Sequence, residues 1–281
     1  MKKFVIIILI TVTSCKKSNL KTIADLPYAI KEVSGIARVK NHKSLWMVND
    51  AGNAPILFAV DEDGTIQHTI KVNAENHDWE ELATDDTGNL YIGDFGNNNN
   101  ERQNLCILKI ANADLKSNTP IDAQKITFRY PDQTEFPPQK DQQFFDCEAF
   151  FFLKDSLYLF TKSRVDNAYG KTTLYRLPAK PGDYIAEKIT TYNTPCNRMT
   201  CWVTSADISP DKSKMALLTP TALFVFTDFE GSNFLEGTLK EYKFEFITQK
   251  ESVFFKDNNT LYLADEYIFG IGGNLYEFAL K

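Results

Sequence analysis

Short alternations of apolar and polar residues recur along this chain in groups, and that repetition constrains the fold more than any single motif. The groups open near residues 34, 80, 147, 204 and 251. In the first, SGIARV, SLWMVND, PILFAVD and TIQHTIKV follow one another with turn residues between them. Period-two alternation bounded by Asp, Asn and Gly predicts strands joined by hairpins. The strings DDTGN, SPDKSK and KDNNT stand where tight turns are expected, because Asp, Asn and Gly adopt turn dihedrals or bond their own backbone. No helical period lasts long enough for a βαβ crossover. Four-stranded units at this spacing predict an all-β chain forming a single β-propeller. Five blades are favoured, and six become possible if residues 111–145 hide a further unit. A β-sandwich is the alternative architecture. The last group has three clear strands, so KTIADLP (21–27) is expected to supply the fourth and close the ring.

The N-terminus reads differently. Lys2 and Lys3 precede an apolar run from Phe4 to Ile10, and Val12-Thr13-Ser14 leads to Cys15. The run is short for a spanning helix and has the layout of a signal peptide. Small residues before a cysteine form a lipobox-like pattern, which assigns Cys15 to lipidation. The expected organisation is a signal peptide over 1–14, a lipidated tether over 15–20 and the propeller over 21–281. The partners expected from this are a membrane, through the N-terminal lipid, and a small molecule, glycan or protein at the propeller face. The expected location is the bacterial outer membrane, facing periplasm or surface.

Charge narrows the function classes. The chain has 31 basic and 37 acidic residues, and no basic run follows Lys17, which argues against a nucleic-acid surface. With Cys15 set aside, four cysteines remain. Cys196 and Cys201 bracket a short loop and are candidates for a disulfide. Cys106 lies in an apolar run and reads as core. Cys147 stands between two acids with no histidine near it, so a nucleophilic role has little support. The three histidines, His42, His68 and His77, do not form a zinc pattern.

Acids recur at fixed places in the groups. Glu81 precedes Asp94 by 13 residues, Glu148 precedes Lys162 by 14, and Glu251 precedes Asp265 by 14. Gly35 and Asn49 are 14 apart, and Ala206 and Thr219 are 13 apart. The first member opens an inner strand and the second closes its hairpin neighbour, so each pair meets at one end of a blade. Around a ring this gathers Glu81, Asp94, Glu148, Lys162 and Asp265 at one mouth. Asp50, Asp78, Glu80, Asp146, Asp207 and Glu266 are further candidates there. Crowded carboxylates need a cation, a lysine or water, and Lys162 or calcium could serve. Asn49 and Asn97 are candidate neutral oxygen donors. Arg102 could meet an anionic ligand or form a surface ion pair. Trp79 is placed at the channel edge, and Gly93 and Gly96 allow close turns beside Asp94.

The strings Ser34-Gly35-Ile36, Trp46 to Asp50, DWEELA, NLYIGDFGNNNN, Asp146-Cys147-Glu148-Ala149, ADISPD (206–211) and LYLADE (261–266) resemble those of uncharacterised exported propeller lipoproteins of Bacteroidota. More distantly, they are similar to SdiA-regulated and esterase-like or phytase-like propellers. That likeness implies an axial calcium ion with Glu81, Asn97, Glu148 and Asp265 as counterpart ligands. Lys162 departs from such a cage. Two functions follow as expectations. The leading one is a binding or scaffold lipoprotein, recognising its ligand through Asn49, Asp50, Asp94, Arg102, Asp146 and Asp265. The alternative is a calcium-dependent hydrolase of an ester, lactone or phosphate ester, with Glu81 or Glu148 as base and Lys162 beside it. Paired acids are also compatible with glycosidase chemistry.

Overall fold

A strand that alternates along its length buries one face against the next sheet and the other face against the previous one when sheets are stacked radially. The computed structural model describes residues 19–40, 42–196 and 198–281 and has this arrangement. The signal-peptide and Cys15 assignments lie outside the described residues.

An initial strand, β1 (Leu20–Asp25), precedes five blades. Blade one is β2 (Val33–Ala37), β3 (Leu45–Asn49), β4 (Ile56–Val60) and β5 (Ile66–Lys71). Blade two is β6 (Trp79–Thr84), β7 (Leu90–Asp94), β8 (Cys106–Ile110) and β9 (Gln124–Arg129). Blade three holds β10 (Asp146–Leu153), β11 (Ser156–Lys162) and β12 (Lys171–Pro178). A short strand, β13 (Gly182–Ile185), follows before blade three ends in β14 (Glu187–Asn193). Blade four is β15 (Ser205–Ile208), β16 (Met215–Leu218), β17 (Ala222–Thr227) and β18 (Thr238–Lys243). Blade five is β19 (Lys250–Asp257), β20 (Thr260–Asp265) and β21 (Asn274–Ala279), completed by β1 at its outer edge.

The chain is therefore a five-bladed propeller closed by its N-terminal strand. The span 111–145 holds β9 and two short 3-10 turns, so it adds no sixth blade. The sequence reading does not anticipate β13. It leaves blade three and pairs in parallel with β9, capping the outer edge of blade two. The outer edge of this sheet is thereby a strand of only 4 residues, a short template for pairing with another chain.

Five apolar clusters fill the spaces between neighbouring blades. Tyr91, Phe95 and Phe150 pack between blades two and three, and Phe151, Phe160 and Phe224 between three and four. Trp46 and Trp79 pack between one and two. These aromatics fill the wedge-shaped gaps that open away from the axis.

One cation sits inside this apolar shell. Lys250 is fully buried, with its Nζ 4.8 Å from the ring centre of Phe244 and 4.7 Å from that of Phe246. It donates to Phe246 O (3.2 Å) and Thr248 Oγ1 (2.8 Å). Burial pushes its pKa down to about 8 against the opposing pull of Asp265. Below pH 8 both folded and unfolded chains hold this proton. Between about 8 and the ordinary lysine value of 10.5, only the unfolded chain does, so this group's contribution to stability rises with pH. Denaturant unfolding of wild type and Lys250→Met at pH 7 and pH 11 is expected to show the difference move by about 3 kcal/mol toward wild type. A difference that does not move with pH would show that the lysine is not held as a desolvated cation.

Candidate functional site

The inner strands carry the same irregularity in four blades. In β6–β7, Trp79 pairs with Asp94 and Glu81 with Gly93, so Glu80 is left without a partner. The same slip leaves out Ser34 in β2, Glu148 in β10 and Glu251 in β19. A β-bulge re-aims the extra residue and turns its successor to the other side. Ser34, Glu80, Glu148 and Glu251, with Thr204 just ahead of β15, all line one cavity of about 610 Å³ at the axial mouth. Their successors, Gly35, Glu81, Ala149, Ser205 and Ser252, are all buried in or beside the innermost strands.

Glu81 belongs to that inner set. It is fully buried and accepts hydrogen bonds from Ser205 Oγ, Ser252 Oγ (3.0 Å), the Leu82 N–H (2.9 Å) and the Ile36 N–H (3.3 Å). Burial raises its carboxyl well above the usual range, although these hydrogen bonds oppose the rise. Gly35 is required alongside, because a Cβ there would lie 2.7 Å from Leu82 N. The carboxylate that reaches the mouth is thus Glu80, one residue before the one expected. The bulge is the reason.

At the mouth, Asp50, Asp78 and Glu80 each bring a carboxylate oxygen within 4.8 Å of the others, and so do Glu80, Asp146 and Glu148. Glu80 joins the two sets. Two cations stand on one side. Lys162 pairs with Glu148 at 3.0 Å, and Arg164 pairs with Asp146 and, at 3.2 Å, with Glu148. Asp146 also accepts the Asn97 N–H at 2.6 Å. Among the described residues, Asp50, Asp78 and Glu80 form no ion pair, and Asp78 Oδ1 is buried without a hydrogen-bond partner. Burial and the neighbouring acids push Asp78 up to about 8 and raise Glu80 strongly. Burial and Glu148 push Asp146 up to about 7, even with Arg164 beside it. Gly96 closes over this group. A Cβ there would lie 2.1 Å from Glu80 Oε1 and 2.4 Å from Asp78 Oδ2.

Across the cavity, Gln249 Nε2 donates to Glu251 (3.3 Å) and Glu266 (3.0 Å). Burial, then Glu251, push Glu266 up to about 9. Trp202 forms part of the wall between these acids and blade three. Its ring lies 5.1 Å from Lys162 Nζ and 5.0 Å from the Arg164 guanidinium, and its Nε1 donates to Ser163 O at 2.6 Å. Cys196 and Cys201 are disulfide-bonded in the loop that leads to Trp202. The sequence reading singled out neither Arg164 nor Trp202. The available signals were a second cation two residues past Lys162 and a tryptophan next to a cysteine.

Other expected residues serve the frame. Asp94 accepts from Arg102 (2.9 Å) and the Asp78 N–H (3.1 Å), and lies 3.0 Å from His77 Nδ1. Arg102 also donates to Gly96 O at 2.6 Å, so it braces the loop over the mouth. Asn97 uses its side-chain oxygen on the Arg102 N–H (2.9 Å) and its amide on Phe145 O (3.1 Å). Asn49 donates to Ala29 O at 2.8 Å, while its Oδ1 is unpartnered. Asp265 holds the Asn274 N–H (2.8 Å) and the Tyr276 hydroxyl (2.7 Å), and Glu266 reaches the cavity instead. Asp207 accepts the Phe255 N–H at 2.7 Å and lines a cavity with Lys212 and Lys256 away from this mouth. Trp79 is wholly buried, not at the channel edge. Burial pushes the Cys147 thiol well up, which removes it as a nucleophile.

The two adjacent glutamates are expected to behave oppositely. Glu81→Ala strands the hydroxyls of Ser205 and Ser252 and should cost about 2–4 kcal/mol in urea unfolding. Glu80→Gln removes one of several crowded carboxylates and should leave stability unchanged or raise it. Equal losses in the two variants would contradict the division set by the bulge.

No family model matches this chain, and no curated protein matches it. Solved structures do. A gluconolactonase from Xanthomonas campestris superposes with a TM-score of 0.50 at 11% identity, covering 93% of this chain and 89% of its own. A catalytically inactive virginiamycin B lyase from Staphylococcus aureus gives 0.45 at 13% identity, covering 91% and 69%. A chain of a nidogen/laminin complex gives 0.47 at 11% identity, covering 84% and 72%. At such identities, the likeness to the gluconolactonase shows the fold alone.

Proposed function

We propose that the mouth holds a hard divalent cation of the calcium kind and hydrolyses an ester or lactone. The observation that carries this reading is Glu80, whose carboxylate joins Asp50 and Asp78 to Asp146 and Glu148. The donors are all oxygens, Asp78 Oδ1 lacks a partner, and the missing Cβ at Gly96 lets the carboxylates of Glu80 and Asp78 crowd beneath its backbone. Those traits fit a hard cation. Asp50, Asp78 and Glu80 would hold it, with Asp146 and Glu148 next to them. A bound ion would polarise the reacting carbonyl oxygen.

The chain's own groups supply the remaining steps. Water adds through its oxygen to the carbonyl carbon and gives its proton to Glu148, the acid paired with Lys162 and Arg164. The acyl C–O bond breaks. The departing oxygen takes a proton from Glu266, whose carboxyl is pushed up by burial and by Glu251. The acid so formed returns a proton to Glu266 and leaves as a carboxylate past Lys162 and Arg164, and Glu148 gives up its proton to solvent. The gluconolactonase is a neighbour in fold, which makes lactones a natural first panel.

A second reading is capture of a small molecule, glycan or protein without turnover. The exposure of Ile247, Phe269 and Ile271 at the cavity favours it. In either case the domain would be carried on a lipid at Cys15. Cys15→Ser is expected to abolish incorporation of labelled fatty acid, and labelling that persists would remove the anchor.

Calorimetric titration of the chelator-stripped protein with calcium is expected to show one site, weakened about tenfold or more in Glu80→Gln. No binding, or equal binding by the variant, would sink the cation reading. Calcium binding without hydrolysis of ester and lactone panels would leave capture in its place.

A further inference from the structure

The cavity has two unlike halves. The acids of blades one to three occupy one side. The opposite side holds Glu251 and Glu266, tied by Gln249, beside an apolar arc that comes from two connections in blades four and five. The β18–β19 connection presents Ile247, 61% exposed. The β20–β21 connection reads Ile268-Phe269-Gly270-Ile271, and a pair of backbone hydrogen bonds between Ile268 and Ile271 pinches it into a hairpin tip. That tip leaves Phe269 100% and Ile271 65% exposed, both lining the cavity. Trp202 and Pro220 continue the same wall.

The neutral polar groups bordering the apolar arc, Thr204, Thr248 and Gln249, are already engaged. Thr204 Oγ1 donates to Lys250 O at 2.6 Å, and Thr248 Oγ1 accepts from Lys250 Nζ at 2.8 Å. Gln249 is spent on Glu251 and Glu266. A ligand rich in hydroxyls would exchange water for few partners there, whereas a hydrocarbon arm would bury apolar area on both sides. A cavity of about 610 Å³ has room for such an arm as well as the reacting group.

We infer that the substrate is an ester or lactone bearing an apolar arm, with the arm seated on Trp202, Ile247, Phe269 and Ile271 and the carbonyl at the acid cluster. This selects against polyhydroxylated lactones. The inference rests on the hydrolase reading for the reacting end only.

The test uses the calcium-loaded full chain. Across p-nitrophenyl acetate, butyrate and octanoate, kcat/KM is expected to rise about fourfold per methylene buried, with glucono-δ-lactone poorer than octanoate. Phe269→Ser, at a fully exposed position, should flatten that slope, while Phe136→Ser, away from the cavity, should not. A flat series, preference for glucono-δ-lactone, or a slope indifferent to Phe269→Ser overturns the inference. Calorimetry with octanoate against acetate reads the same wall without turnover. If no ester or lactone is hydrolysed, the hydrolase reading fails, yet octanoate binding that is lost in Phe269→Ser upholds the apolar seat. Octanoate and acetate binding alike overturns it. Co-sedimentation with phosphatidylethanolamine and phosphatidylglycerol vesicles that is lost in Phe269→Ser would assign the rim to a lipid surface instead, and also overturns it.

Discussion

Five inner strands converging on an axis leave little room at the centre, and one side chain occupies it. Glu81 extends from blade two and gathers hydrogen bonds from Ile36 of blade one, Ser205 of blade four and Ser252 of blade five. It is accommodated because the equivalent positions are Gly35, Ala149, Ser205 and Ser252. The buried hydroxyls of Ser205 and Ser252 both donate to this one carboxyl group, and the Ile36 N–H divides between it and Ser252 Oγ. Four of the five blades are thereby joined through a residue that itself faces no solvent.

The same slip in register that sends Glu81 inward sends Glu80 toward the mouth. Scaffold and site therefore share one local departure from regular pairing. The bulge recurs in four blades, which delivers side chains to the cavity at nearly one depth. Their chemistry differs by blade. Blade three brings its own cations, Lys162 and Arg164. Asp50, Asp78 and Glu80 form no ion pair among the described residues, so repulsion and desolvation fall on Asp78 and Glu80.

Much of the architecture was legible. Strand spacing gave five groups, and the shortfall in the last one pointed to the closing strand. The strap β13 was not, because Gly182-Asp183-Tyr184-Ile185 carries no distinctive alternation and its partner lies in another blade. At the site, a spacing of 13 or 14 residues located the right end of each hairpin. It could not resolve Glu80 from Glu81, since a bulge changes facing without changing composition. Comparing Asp78-Trp79-Glu80 with Asp146-Cys147-Glu148 would have done so, because both present acids two apart where the inner strand begins. Trp202 was hidden because it lies in a connecting loop, outside the strand repeat.

The closing strand also decides which way the domain is presented. In the outer pairing of blade five, Asp25 stands opposite Asn274, at the end of the sheet where Glu266 meets the cavity, and Leu20 stands opposite Phe278 at the far end. Leu20, where β1 begins, thus lies on the side of the disc opposite the acidic opening. A protein fastened from that direction would hold its cavity outward, like a cup standing on its base, accessible to molecules arriving from the surroundings and turned away from the surface that carries it.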